Sequence, residues 1–165
     1  YYQGTAGKYI EMDGNIGTVL VWYESFEKTR NSEMAAMYPD LAEFFEEVNS
    51  KTVDLMKVFS EKLYVHPEFK GRSSIKKVLP ALRPDLSYKQ LRIGDGLTAT
   101  ISWFRAVKWG SMANAEREAI FKGLEKYCEL DTWAMVAIFE HLVALSGQDF
   151  EAHTADTEQF FLERI

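Results

Sequence analysis

The apolar positions along the chain fall into runs of two kinds. Thr18-Val19-Leu20-Val21-Trp22-Tyr23 is unbroken, rich in β-branched residues and bounded by Gly17 and Glu24. A short continuous run of this kind predicts a strand buried on both faces, as in a parallel sheet. Thr52-Val53-Asp54-Leu55-Met56 predicts a second, very short strand running into a helix through Leu63. Elsewhere the apolar residues recur at three- and four-residue spacing, which gathers them on one face of a helix. Between the strands one helix is expected to open with Ser25 as its N-cap. It closes before Pro39, because a residue that precedes proline disfavours helical angles. Asp40 is expected to cap a second helix over residues 41–49, with Leu41, Phe44, Phe45 and Val48 as its apolar stripe.

Further along, the stretch from His66 to Ser73 reads as a loop, and Ser74 as the cap of a helix over residues 75–82. That helix turns Val78, Leu79 and Leu82 inward and its lysines outward, and Pro80 limits or bends it. Arg83-Pro84-Asp85 is a turn, and Ser87 or Asp95 caps the next helix. That helix, over residues 96–108, carries Leu97, Ile101, Phe104 and Val107 at helical spacing. After a break at Gly110-Ser111, residues 113–127 are helical, with Ile120, Phe121, Leu124 and Tyr127 on one side. Residues 130–145 form the longest apolar pattern, stopped by Ser146-Gly147. Residues 1–16 read as an irregular, glycine-rich lead-in. Residues 148–165 read as a polar tail until Phe160-Phe161-Leu162, either a last helix or a partner-docking segment.

Composition narrows the class. With 165 residues, 47% hydrophobic and 27% charged, the chain suits a single domain over 1–165 with a sizeable core. The lone Cys128 excludes an internal disulfide, and no Cys/His cluster suggests zinc. No apolar run approaches the roughly 18 residues of a membrane span. The start shows no signal-peptide pattern and no initiator methionine, so a fragment of a longer chain is expected. The net charge of −6 argues against coating of the whole surface by nucleic acid. Between positions 62 and 92, however, eight basic residues face two acids, a local +6 that leaves −12 for the remainder. Such a stretch could contact phosphates, although a charge run is more often a solvated face.

The candidate chemistry lies in Tyr127 and Asp131, four residues apart in a helix-forming run and so on one helix face. A carboxylate can hold a cation, and a phenol beside it can orient or help deprotonate an attacking water. Spacing alone is weak, since Tyr9 and Asp13 repeat it, and the bland alternative is a buried tyrosine with a surface acid. Trp103, Phe104 and Trp109 could stack on bases, but their helical spacing favours core packing. His66 is expected to be a hydrogen-bonded structural residue, Asp54 an acceptor of backbone or basic-residue hydrogen bonds, and Cys128 a buried, inert thiol.

The strand-to-helix passage Tyr23-Glu24-Ser25-Phe26-Glu27 resembles the second motif of the DEDD group of 3′–5′ exonucleases. Tyr127 and Asp131 are similar to the third motif of its tyrosine-type branch. The runs Ser25-Phe26-Glu27-Lys28, Val53-Asp54-Leu55, His66-Pro67, Ser74 through Leu82, Ser87-Tyr88 and Tyr127 through Thr132 resemble an uncharacterised bacterial domain family. That family is assigned to the RNase H-like nucleases and often follows a domain resembling the nucleases of CRISPR systems. The resemblance covers about residues 19–145. It implies an α/β, RNase H-like fold, incomplete at the N-terminus and hence helix-dominated with a small parallel sheet. It also implies metal-dependent 3′–5′ exonuclease-like hydrolysis of phosphodiester bonds in a bacterial, cytoplasmic parent protein. Glu27, Tyr127 and Asp131 would be catalytic, with Glu27 and Asp131 as ligands of Mg²⁺ or Mn²⁺ in a two-metal site. The partner would be a single-stranded end of DNA or RNA, met by Lys70, Arg72, Lys76 and Lys77. No membrane is involved, and a nuclease-like domain upstream in the same polypeptide is implied.

Three departures from the pattern stand out. Glu27 replaces the usual Asp, Tyr23 replaces a usual Asn, and the Asp-x-Glu of the first motif is missing. Glu11-Met12-Asp13 is reversed, and Asp156-Thr157-Glu158 follows the last motif. With two of four carboxylates, the chain alone is expected to bind metal weakly and hydrolyse negligibly. The alternative is a noncatalytic RNase H-like helical module that binds nucleic acid or a protein partner.

Overall fold

The computed structural model describes residues 17–108 and 112–147. The lead-in with Tyr9, Glu11 and Asp13, the break at Gly110-Ser111 with Trp109 beside it, and the tail with Asp156, Glu158 and Phe160-Phe161-Leu162 lie outside the described residues. The chain divides into two compact units, Tyr1–Tyr64 and Val65–Ile165. Helices dominate, and the described strands form one small parallel sheet, an α/β arrangement as expected.

In the first unit, β1 (Val19–Val21) leads to α1 (Glu24–Met37), a 3-10 turn (Pro39–Leu41), α2 (Ala42–Ser50), β2 (Thr52–Asp54) and α3 (Lys57–Ser60). The strands pair in parallel, Val19 with Thr52, Leu20 with Val53 and Val21 with Asp54. Parallel strands need a crossover connection, supplied here by α1 and α2 packed on each other. The expected burial of the first strand on both faces is corrected: β1 is half-buried throughout, and Val53 on β2 is exposed. A two-stranded ladder has no interior strand, so neither strand is enclosed on both edges.

The helix starts also differ from expectation. Ser25 lies inside α1, which is capped from β2 instead. The Asp54 carboxylate accepts the N–H groups of Tyr23 at 3.0 Å, Glu24 at 3.0 Å and Met56 at 2.9 Å. The first N–H groups of a helix have no acceptor within it, and a negative charge there also suits the helix dipole. Tyr23 adopts a left-handed φ of 78°, a conformation that side chains other than Gly, Asn and Asp rarely take. Asp54 is thus buried and fully engaged with backbone, as its sequence context suggested. Asp40 does not cap α2 either, because Pro39 opens a 3-10 turn that contains it. Of the α2 stripe, Phe45 is buried, Phe44 and Val48 are half-buried, and Leu41 is exposed. The helix expected to reach Leu63 stops at Ser60, and the left-handed Lys62 keeps the chain from resuming it.

The second unit holds a 3-10 turn (Pro67–Phe69), α4 (Ile75–Leu82), a 3-10 turn (Tyr88–Gln90), α5 (Gly96–Lys108) and α6 (Asn114–Leu145). The bounds of α4 are those predicted, with Val78 and Leu79 fully buried. The N–H groups of Lys77 and Val78, its third and fourth residues, bond to the Ser74 carbonyl, and the Ser74 side chain does not cap. The two helices expected over 113–127 and 130–145 are one helix of 32 residues, about 48 Å long. Gly123 inside it has a packing role, since a Cβ there would lie 3.2 Å from Ile93 Cδ1.

Helix α5 has the predicted bounds but the opposite orientation. Leu97 is 72% exposed, and Ile101, Phe104 and Val107 are each about half exposed; Trp103 is also exposed, so core packing is corrected for it and for Phe104. The buried side carries small residues: Ala106 is buried and Ala99 packs beside it, against Ile93, Ile120, Leu124 and Tyr127. Small residues let α5 approach α6 closely enough for Arg117 to donate to the Ala106 carbonyl at 3.0 Å.

Replacing Asp54 by Ala strands three N–H groups and is expected to lower the unfolding free energy by about 2–4 kcal/mol, with Asp54→Asn losing less. Urea unfolding followed by circular dichroism checks this. Equal midpoints for Asp54→Ala and the unsubstituted chain would show that the cap contributes nothing.

Candidate functional site

Helix α6 sets Tyr127 and Asp131 one turn apart, both half-buried. The third member of the group comes from 43 residues earlier: the Tyr88 hydroxyl donates to Asp131 Oδ1 at 2.5 Å. Hydrogen bonds to an ionised acceptor are short and strong, so this one fixes the turn at Tyr88–Gln90 against α6. The Tyr88 and Tyr127 ring centroids are 6.1 Å apart. Lys76 lies over both rings, its Nζ 5.6 Å from each centroid. Lys76 is therefore half-buried, which corrects the expected outward position; Lys77 is exposed as expected. The reason is its place on α4, where it shares a side with Leu79 and Pro80, three and four residues on.

The loop between the Tyr88 turn and α5 wraps this group. Gly94 passes so close to the turn that a Cβ would lie 2.8 Å from the Tyr88 carbonyl oxygen. Gly96 passes the Tyr127 hydroxyl, 3.9 Å from where its Cβ would be. Between them Asp95 caps α5, accepting the Thr98 N–H at 2.9 Å and the Thr98 hydroxyl at 2.7 Å. Beside the group opens a cavity of about 230 Å³ lined by Lys76, Pro80, Ser87, Tyr88, Lys89 and Gly94.

The electrostatics limit what the tyrosines can do. Burial pushes the Tyr88 hydroxyl far above the ordinary phenol range, and its hydrogen bond to Asp131 adds to this. Burial followed by the Asp131 charge pushes Tyr127 up as well. A phenol so disposed stays protonated; it can orient a water or donate to one, but it is poorly suited to deprotonating it. Cys128 is exposed, which corrects the expected burial, because one residue's step from Tyr127 turns it to the outer side of α6. Partial desolvation and the Asp131 charge raise its thiol pKa, which lowers its thiolate fraction.

Glu27 belongs to the first unit, in the opening turn of α1. Burial raises its carboxyl pKa. Among the described residues, no three carboxylate, imidazole or thiol groups cluster closely enough to hold a metal ion. The donor set in hand therefore does not by itself fit a two-metal centre. Lys70 and Arg72 are exposed, as are Lys89 and Arg92. Arg83 is engaged by Asp85 through bonds of 3.0 and 2.8 Å. His66 caps the Pro67–Phe69 turn, accepting the Glu68 N–H at 3.3 Å, a structural role as expected. Sequence reasoning did not single out Tyr88, Ser87, Lys89 or Gly94 for the site. The available signals were the Ser87-Tyr88 run and the closely spaced pair Gly94-Asp95-Gly96.

Residues 3–74 match the family described as "Domain of unknown function (DUF2779)". Over 137 residues the chain is 31% identical to "Uncharacterized protein UU173" of Ureaplasma parvum serovar 3 (strain ATCC 700970), an alignment that takes in 72% of this chain and 19% of that protein. The chain thus spans about a fifth of that relative's length. No solved structure matches. The expected likeness to an uncharacterised domain family is supported, and none of these comparisons carries the RNase H-like exonuclease likeness. No helix among the described residues is long and apolar enough to cross a membrane.

Phenols whose pKa rises on folding stabilise the fold fully below about pH 10, where the unfolded chain's tyrosines are still protonated; that stabilisation is lost as the pH climbs further. Melting temperatures are expected to change little between about pH 8 and 9 and then to fall from about pH 10 to 12, steeply for the unsubstituted chain and less steeply for Tyr88→Phe. Identical slopes would show that Tyr88 is not the group responsible.

Proposed function

We propose that this chain contacts the phosphates of single-stranded nucleic acid and contributes Asp131 and Tyr127 to metal-dependent, 3′–5′ exonuclease-like hydrolysis in a larger protein. The observation that carries the reading is the set of exposed basic residues in the second unit. Lys70, Arg72, Lys77, Lys89 and Arg92 have no carboxylate partner among the described residues, in a chain whose net charge is −6. Basic charge left unneutralised in an acidic chain suits a polyanionic partner. Asp131 is a hard oxygen donor suited to Mg²⁺ or Mn²⁺, with further carboxylates to come from outside the described residues. An RNase H-like arrangement is the finer form of this proposal, resting on the sequence motifs rather than on any matched structure.

A second reading, a noncatalytic helical module that binds a protein partner, is favoured by the exposed apolar stripe of α5.

Fluorescence anisotropy with single-stranded DNA and RNA at low salt tests the first reading. Binding is expected to weaken with salt by a log–log slope of about −0.7 per phosphate contact. Lys70→Gln, Arg72→Gln and Lys77→Gln together should cost about tenfold or more in affinity. With Mn²⁺ added, the chain alone should leave the strands intact, whereas a longer natural polypeptide that carries it should shorten them in an Asp131-dependent way. Salt-independent binding, or none, favours the second reading.

A further inference from the structure

We infer that the cavity lined by Lys76, Ser87, Tyr88, Lys89 and Gly94 is a subsite for a single phosphate group, either the terminal phosphate of a strand or free phosphate. The inference goes beyond the proposed function and requires neither strand binding nor hydrolysis. It starts from the position of Lys76. Its Nζ sits 5.6 Å from the centroids of both Tyr88 and Tyr127, so two ring faces hold the ammonium without neutralising it. Asp131 and Asp95 keep their charge nearby, and Lys76 acts on Asp95 through space, but neither forms an ion pair with the ammonium. Asp131 accepts the Tyr88 hydroxyl, and both Asp95 oxygens accept from Thr98.

The lining contains two lysines, two hydroxyl residues and no carboxylate; the Tyr88 hydroxyl is spent on Asp131, which leaves that of Ser87. Lys89 stands exposed at the rim, with no ion pair among the described residues. The Ser87 oxygen accepts the Lys89 N–H at 3.2 Å, which leaves the Ser87 O–H proton available to a ligand oxygen. Two ammonium groups and a hydroxyl donor match the acceptor-rich, doubly charged surface of a phosphate monoester. The cavity, about 230 Å³, is smaller than the roughly 300–1,000 Å³ of drug-sized sites, which suits one phosphate with little attached to it. Gly94 lets the chain lie against this turn, since a Cβ there would collide with the Tyr88 carbonyl and displace the turn that carries Ser87, Tyr88 and Lys89.

The test is nuclear magnetic resonance titration of the whole chain with inorganic phosphate at constant ionic strength, chloride serving as the control anion. Saturable shifts at Lys76 and Ser87 are expected, weakened about tenfold or more by Lys76→Met and by Lys89→Met. Methionine keeps an apolar stem of similar length and removes the charge. The combined Lys70→Gln, Arg72→Gln and Lys77→Gln variant should bind phosphate unchanged. No saturable shift, or phosphate binding equal in both methionine variants and the unsubstituted chain, overturns the subsite. Should Lys76→Met fail to fold, the exposed Lys89→Met decides alone. A second arm compares oligonucleotides with and without a terminal phosphate. Preference for the phosphorylated strand that Lys89→Met abolishes identifies a strand end as the source; saturable phosphate binding without that preference identifies free phosphate. Phosphate binding without any oligonucleotide binding supports the subsite while overturning the strand-contact reading.

Discussion

The hydrogen bond from Tyr88 to Asp131 is the contact on which the second unit's polar group depends. It joins a three-residue turn to the middle of a long helix across 43 positions. Without it, a half-buried carboxylate would lose its donor, a loss that costs more than an ordinary hydrogen bond contributes. Three features depend on its being made. The Tyr88 ring is held at an angle to Tyr127, so one ammonium can lie over both faces. Gly94 can fold back onto the Tyr88 carbonyl, because that carbonyl is in a fixed place. The cavity keeps its shape, because Ser87 and Lys89 ride on the same turn.

The first unit uses an aspartate for a different purpose. Asp54 gathers three backbone N–H groups, ending β2 and starting α1 with one carboxylate. The two aspartates show why acidic residues in a nuclease-like motif order cannot be assigned to a metal by position alone. Asp54 is consumed by the backbone. Asp131 is partly committed to a phenol, and burial raises the Glu27 carboxyl pKa. Among the described residues no three such groups gather at one point.

Much of the framework was legible in the sequence, and the reasons are local. The limits of α4 and α5 follow from Pro84, Asp95 and the period of their apolar positions, and both strands follow from short β-branched runs. The phase of α5 escaped. Periodicity says that Leu97, Ile101 and Phe104 share a face; it does not say which neighbour covers that face, and here α6 takes the alanine side. The cap on α1 escaped as well, because its acceptor lies on another strand. Tyr88 was hidden for the same reason: no local pattern announces a contact between a turn and a helix so far along the chain. The candidate pair Tyr127 and Asp131 was readable as a pair, but its partners and the protonated state of its phenol were not.

A double-mutant cycle on Tyr88→Phe and Asp131→Asn tests the central contact most directly, with unfolding free energies from urea titration at pH 7. A coupling energy of about 1.5 kcal/mol or more is the predicted result, as for a hydrogen bond to a charged acceptor. Additive single-variant effects, with coupling near zero, would contradict the account, since the two side chains would then contribute to stability independently of each other.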